Sequence, residues 1–185
     1  MEKIIFHKET KTFHLYNEEI SYIMCVLENG HMGQLYYGKR IHDKPDFSYL
    51  VEKCGRPMTS YIFEGDRSFS LEHIRQEYPV YGTTDYRHPA IEIMQETGSN
   101  ISEFKYVGYE ILKGKPSLKG LPATYTESEE EAETLKIILK DSLTGAKLTL
   151  LYTIFSKGSA IARSAHICNE GEKVLHLQTM MSLNL

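Results

Sequence analysis

A chain of 185 residues with 41% hydrophobic and 25% charged residues has the balance of an ordinary globular domain, enough for one domain. Its 25 acidic against 21 basic residues leave a net charge of −4 and a pI of about 6.1, which excludes the basic footprint of a nucleic-acid binder. No apolar run reaches the roughly 20 residues of a membrane helix, and "MEKIIFHKETKTFHLYNEE" lacks the apolar centre of a signal peptide, so a cytoplasmic location with no membrane partner is expected.

In chain order the sequence reads as strands. The N-terminal residues offer only a short apolar-rich patch between charges. "KTFHLYN" (11–17) places Phe13 and Leu15 on one face at period two. "ISYIMCVLEN" (20–29) follows turn formers, and "NGH" signals a hairpin into "MGQLYYGKRI". The first forty residues therefore predict an antiparallel meander. A long irregular insertion follows, around residues 42–100, with short helical turns expected near Phe47 to Lys53 and Ser70 to Arg75. "EFKYVGYEILKGK" alternates again, with a bulge expected at Gly108. The acidic run "TESEEEAETLK" reads as a short helical turn or, more simply, a solvated loop. "ETLKIILKD" puts Leu135, Ile137 and Leu139 on one face, and "AKLTLLYTIF" does the same with Leu148, Leu150, Tyr152 and Ile154. "AIARSAHICNEG" and "KVLHLQTMMSLNL" close the series. The fold class expected is all-β, an antiparallel sandwich of long strands. The last strand pattern stops without a polar tail, which predicts that a larger protein continues past Leu185.

Signals for chemistry are sparse. Nucleotide-cradle patterns, a GxSxG elbow and an HExxH pair are all missing, so no cofactor is expected. Cys25, Cys54 and Cys168 form no CxxC or CxxH pair, and the eight histidines show no close ligand spacing, so reduced thiols and no metal are expected. The stretch "GDRSFSLEHIRQEYPVYGTTDYRHPA" (65–90) stands apart. It holds two Asp, three Arg, two His, two Glu and three Tyr, and Pro79, Gly82 and Pro89 prevent a single helix. Asp66, Glu72, Glu77 and Asp85 are the carboxylates from which a glycosidase-type pair could be drawn. The simpler reading makes Asp66 and Asp85 turn residues and Ser70 the cap of a short helix.

This stretch closely resembles the N-terminal signature of bacterial α-galactosidases of glycoside hydrolase family 36, which runs approximately D-R-S/T-F-S-L-D, Q-E-Y-P-x-Y-G and D-F/Y-R-x-P-A. "LYYGKRI", "YEILKGKPSLKGLPATYTESEEEAETLKIIL" and "SAIARSAHICNEG" resemble further family motifs in the same order, so the likeness runs over nearly the whole chain. It implies a galactose-mutarotase-like β-supersandwich spanning residues 1–185, followed in the complete enzyme by a (β/α)₈ barrel that carries the nucleophile and the acid/base. It thus implies no catalytic residue in this chain. It also implies α-galactoside substrates and a homo-oligomer, a tetramer in several members, in which this insertion reaches a neighbouring active site. The matching substrate-binding residues are Asp66 and Arg67. Tyr78, Tyr81 and Tyr86 would add flat surface for packing or sugar stacking. The segment 46–64 departs from members that carry an acidic substrate contact there, and Glu52 is the residue nearest to it. On the bland reading Arg67 and Arg87 pair with Asp66, Asp85 or Glu77. The alternative function is a stand-alone carbohydrate- or protein-binding sandwich with no catalytic partner.

Overall fold

The computed structural model describes residues 3–120 and 123–184, and among them ten strands alternate with tight turns. Strands β1 (Ile4–His7), β2 (Thr12–Tyr16), β3 (Ile20–Val26) and β4 (Met32–Lys39) form an antiparallel meander in that order. Strand β5 (Ile91–Gln95) waits for a partner far along the chain. A second meander follows from β6 (Phe104–Lys113), β7 (Ala132–Asp141), β8 (Ala146–Phe155) and β9 (Ile161–Asn169). Finally β10 (Leu175–Met180) pairs antiparallel with β5. The all-β antiparallel class is as the period-two pattern predicts.

Phe13, Leu15, Tyr22 and Met24 from the first sheet meet Leu135, Ile137, Leu148, Leu150, Tyr152 and Ile154 from the second in one core, with Ile91 and Ile93 of β5 closing it. Each such side chain taken out of water contributes about 1.5–3 kcal/mol. Aromatic pairs cross between the sheets, with Phe6 and Tyr109 ring centroids 4.6 Å apart and Phe13 and Tyr109 5.1 Å apart. The bulge falls where the sequence marks it: the β6–β7 register shifts between Tyr106 and Gly108. At the β7–β8 turn Gly145 has φ +76°, and a Cβ there would lie 2.7 Å from the Cα of Gly171 in the next hairpin. Only glycine fits that approach.

The apolar patch near the N-terminus is strand β1, held by four residue pairs to β2, and it joins the expected meander. Two expectations need correction. The irregular insertion ends at Ala90 rather than near residue 100, because Ile91–Gln95 alternates and pairs with β10. The Ser70 segment is a turn, not a helix: Ser70 Oγ accepts the Glu72 N–H at 3.2 Å, and no further helical turn follows. One turn of 3₁₀ helix does form at Ser48–Leu50, and another at Glu129–Glu131 within the acidic run.

The insertion is ordered because it builds a second core. Ile23, Cys25, Leu27 and Leu35 on the outer face of the first sheet pack against Phe47, Phe69, Leu71 and Ile74 of the insertion. Strands β2 and β3 are therefore buried on both faces. A polar latch fastens the start of the insertion. Asp43 Oδ1 lies 2.9 Å from His7 Nε2 and 2.7 Å from His14 Nδ1. A carboxylate only accepts, so both rings donate to it. That leaves His14 Nε2 to accept from Ser21 Oγ at 2.9 Å, while Ser21 Oγ accepts the Ile41 N–H at 3.1 Å.

Burial holds His14 below its ordinary value of 6.5, and Asp43 only partly offsets this. Partial burial alone would raise Asp43, but its hydrogen bonds from His14 and His7 leave it below 3.8. Both shifts act in one direction. The folded chain binds fewer protons than the unfolded one, so stability falls as pH drops through 6.5, and falls again in strong acid as Asp43 is protonated. We expect urea midpoints to decline from pH 7.5 to 5.5. His14→Gln should cost about 1–3 kcal/mol at pH 7.5 by leaving Asp43 and Ser21 short of a partner, and should flatten the decline. His31, lowered the same way by burial, keeps a residual slope. An unchanged slope in His14→Gln would show that the latch does not titrate with folding.

Candidate functional site

The four carboxylates of the 65–90 stretch have separate fates. Glu77 is buried between the sheets. Its Oε1 accepts from Tyr22 Oη at 2.6 Å, and its Oε2 accepts from Tyr152 Oη at 2.8 Å and pairs with Arg163 Nη2 at 3.1 Å. Burial pushes both phenols far above the usual tyrosine range, with the Glu77 charge adding to it. Asp85 is also buried. It accepts from Gln76 Nε2 at 2.7 Å and from the Arg87 backbone N–H, Nε and Nη2 at 2.9–3.0 Å. Asp85 has all four acceptor sites occupied, and Glu77 is enclosed with its protein partners, so neither faces a substrate. For Asp85 this matches the structural reading of the sequence. Glu72 ties the loop above it, accepting from Ser60 N at 3.3 Å and facing Arg56 Nη2 at 3.5 Å. Asp66 closes its own turn, accepting the Ser68 N–H at 2.8 Å and the Ser68 hydroxyl at 2.6 Å, and these bonds hold it below 3.8.

The arginines divide in the same way. Arg87 is locked, with Nη2 also donating to the carbonyls of Leu71 and Ile74. Arg163 lies on β9 and donates to Tyr22 Oη, the Glu77 carbonyl and Tyr152 Oη. Arg67 sits on the exposed side of the Asp66–Ser68 turn, and no ion pair or hydrogen bond engages its guanidinium among the described residues. Of the two residues singled out by resemblance, Asp66 thus orders the turn and Arg67 faces solvent with free donors.

The tyrosines separate as well. Tyr78 is buried, its Oη donating to the Met181 carbonyl at 2.6 Å, and burial pushes its pKa up to about 12. Tyr81 is half-buried. Tyr86 is 77% exposed, with its Oη 3.5 Å from Ser60 Oγ, and is the one of the three that presents a free ring face. Exposed Tyr49 and Tyr61, on the same insertion, are missed by a reading that centres on residues 65–90. Both lie in the 46–64 segment, where only Glu52, itself exposed, draws notice from the sequence. A density of tyrosine among loop formers is the signal that could have found them.

Removing one partner of a buried pair leaves an uncompensated charge. Arg163→Ala should therefore cost about 3–5 kcal/mol in urea unfolding. Arg67→Ala should stay within about 0.5 kcal/mol of the parent, as surface changes do. Equal losses in the two variants would mean that Arg67 carries structure.

Comparison with known proteins places this geometry in a family. Residues 30–185 match the model described as the glycosyl hydrolase family 36 N-terminal domain. The chain is 40% identical over 182 residues to the α-galactosidase AgaA of Geobacillus stearothermophilus, covering 98% of this chain and 25% of that protein. It is 34% identical to α-galactosidase 1 of Pediococcus pentosaceus, again over 25% of the relative. Among solved structures, the α-galactosidase of Lactobacillus brevis superposes with a TM-score of 0.93 at 36% identity, over 97% of this chain and 24% of that one. A variant of AgaA solved with stachyose gives 0.87 at 41% identity, over 94% of this chain and 24% of that one. The chain spans about a quarter of the length of the relatives it matches.

Proposed function

The chain belongs to the family of glycosyl hydrolase family 36 N-terminal domains, and on that footing we propose that it supplies one wall of the substrate site in an α-galactosidase. The reacting carboxylates belong to a catalytic barrel that follows this domain in the complete enzyme. The substrates are terminal α-galactosides of the kind named with solved AgaA structures, raffinose and stachyose. The observation that carries the reading is Arg67. In the stretch that defines the family likeness, it sits beside a self-contained Asp66 turn with its guanidinium unpaired. A planar guanidinium can donate two parallel hydrogen bonds to vicinal sugar hydroxyls. The exposed rings of Tyr49, Tyr61 and Tyr86 offer apolar faces for the pyranose. Asp66 acts through the turn, as a positioning residue. The domain joins a homo-oligomer in which the insertion meets a neighbouring subunit's site.

In the complete enzyme, Arg67→Ala should lower kcat/KM for raffinose about ten- to hundredfold, the equivalent of one charge-assisted hydrogen bond, with the fold intact. The 185-residue chain alone should not hydrolyse an α-galactoside. Mixing Arg67→Ala subunits with subunits inactivated in the barrel should restore part of the activity, because some sites then combine an intact barrel with an intact neighbouring loop. Failure to recover activity in demonstrably mixed oligomers would place Arg67 in its own subunit's site. Parental kinetics for Arg67→Ala would remove it from the substrate site.

A further inference from the structure

A second unpaired arginine, Arg75, lines a recess that the galactoside reading does not use. Residues 75–77 add a short rung to the edge of β4. Gln34 N–H donates to the Arg75 carbonyl at 3.0 Å, Glu77 N–H donates to the Met32 carbonyl at 2.9 Å, and Gly33 bridges to Gln76. Beside this rung is a recess of about 220 Å³ lined by Gln34, Arg75, Gln76, Pro79, Arg87, His88 and Asn184.

Its walls are pinned independently. Gln76 is buried, with Oε1 accepting from His31 Nδ1 at 2.8 Å and Nε2 donating to Asp85 at 2.7 Å. Arg87 is fixed through Nε and Nη2 by Asp85 and two carbonyls, which leaves Nη1 without a protein partner. His88 Nδ1 donates to the Pro89 carbonyl at 2.9 Å, and Nε2 is unbonded. Asn184 Nδ2 donates to the His88 carbonyl at 2.6 Å and closes the rim. Arg75 has no carboxylate within ion-pair distance among the described residues.

The charge of this recess runs against that of the molecule. The whole chain is at −4, yet the lining holds two arginines and no Asp or Glu. Asp85 neutralises Arg87 from behind, fully buried, so the net positive charge facing the recess is that of Arg75. One guanidinium held in place, that of Arg87, beside the free one of Arg75 in a concave, carboxylate-free wall suits an oxyanion. Its volume lies below the ~300–1,000 Å³ of drug-sized sites and suits a single small anionic group.

We infer that this recess is a binding site for a small oxyanion, a phosphate or a carboxylate group, held by Arg75, the free Nη1 of Arg87 and the amides of Gln34 and Asn184. Binding there is separate from hydrolysis and from the Arg67 turn, so the inference stands or falls independently of the galactosidase reading.

The test is a titration of the isotope-labelled 185-residue chain with inorganic phosphate at constant ionic strength, followed by NMR. The amides of Arg75, Gln76, Arg87, His88 and Asn184 and the arginine Nε–H signals should shift together and saturate. Arg75→Ala keeps the fold, because its side chain is exposed and unpaired, and should weaken binding about tenfold or more. Arg87→Ala would strip the buried Asp85 of its partner, and Gln34→Ala would take a donor from Tyr22 Oη. Asn184→Ala, which gives up an exposed bond to the His88 carbonyl, therefore serves as the second variant and should also weaken binding. A parallel titration with acetate identifies the source: saturation of the same signals by acetate assigns a carboxylate ligand, and saturation by phosphate alone assigns a phosphate. Shifts that do not saturate with either anion, or that spread evenly over the lysine-bearing surface, would overturn the site. So would an Arg75→Ala variant that titrates like the parent.

Discussion

The rest of the structure depends on one buried carboxylate. Glu77 lies in the middle of the insertion, yet its partners come from three places: Tyr22 on β3, Tyr152 on β8 and Arg163 on β9. The knot therefore ties both large sheets to the segment that belongs to neither. A loop of nearly fifty residues would be costly to order through its own contacts, since fixing each residue's backbone takes about 1–2 kcal/mol. The insertion meets that cost in two ways. Phe47, Phe69, Leu71 and Ile74 give it an apolar underside on the outer face of the first sheet. Glu77 then fixes where the returning chain must pass, because no other position satisfies two phenols and a guanidinium at once. Removing any one member would strand the others in a dry interior.

That arrangement also decides what the surface offers. The 65–90 stretch is rich in both signs, and a view of composition alone would cancel them. Folding separates them instead. Glu77 and Asp85 turn inward and Asp66 bends back on Ser68, while Arg67 and Arg75 remain outside. A protein with a net negative charge thereby presents two isolated guanidinium groups on one insertion. They differ in setting. Arg67 stands exposed on its turn, on an insertion that also exposes Tyr49, Tyr61 and Tyr86. Arg75 edges a concave recess, suited to a compact charged ligand.

Much of this fold is legible in the sequence, and the reason is local. Strands β7 and β8 each bury one face, so Leu135, Ile137, Leu148 and Tyr152 alternate with polar residues. The bulge at Gly108 shows because the alternation slips there. Strand β5 has the same alternation, Ile91 and Ile93 inward, but it sits between Pro89 and Gly98 and its partner lies some eighty residues on, so nothing nearby marks it as paired. Strand β1 is too short for a period to declare itself. The double burial of β2 and β3 is hidden by His14 and Ser21, polar residues that read as solvent-facing and are enclosed by the insertion. In the site, the Arg87–Asp85 pair is two residues apart and could be guessed. Glu77 and Arg163 are 86 residues apart, and no spacing rule connects them. The family likeness points to Arg67, but its lack of a partner is a fact about where other charges go.

The latch at the base of the insertion has a further implication for how such sites are recognised. Ser21, His14 and Asp43 are linked hydroxyl to imidazole to carboxylate at 2.9 Å and 2.7 Å. On paper that is the connectivity of a hydrolytic triad. Here it has no chemistry to perform. The Ser21 side chain and the imidazole are wholly enclosed, the hydroxyl oxygen is already engaged by the Ile41 N–H, and Asp43 is shared with a second histidine. An attacking oxygen needs an open trajectory and a lone pair to spend along it, and this one has neither. A fluorophosphonate probe would pass over this serine, and a search by side-chain geometry alone would count a hydrolase where there is a fastening.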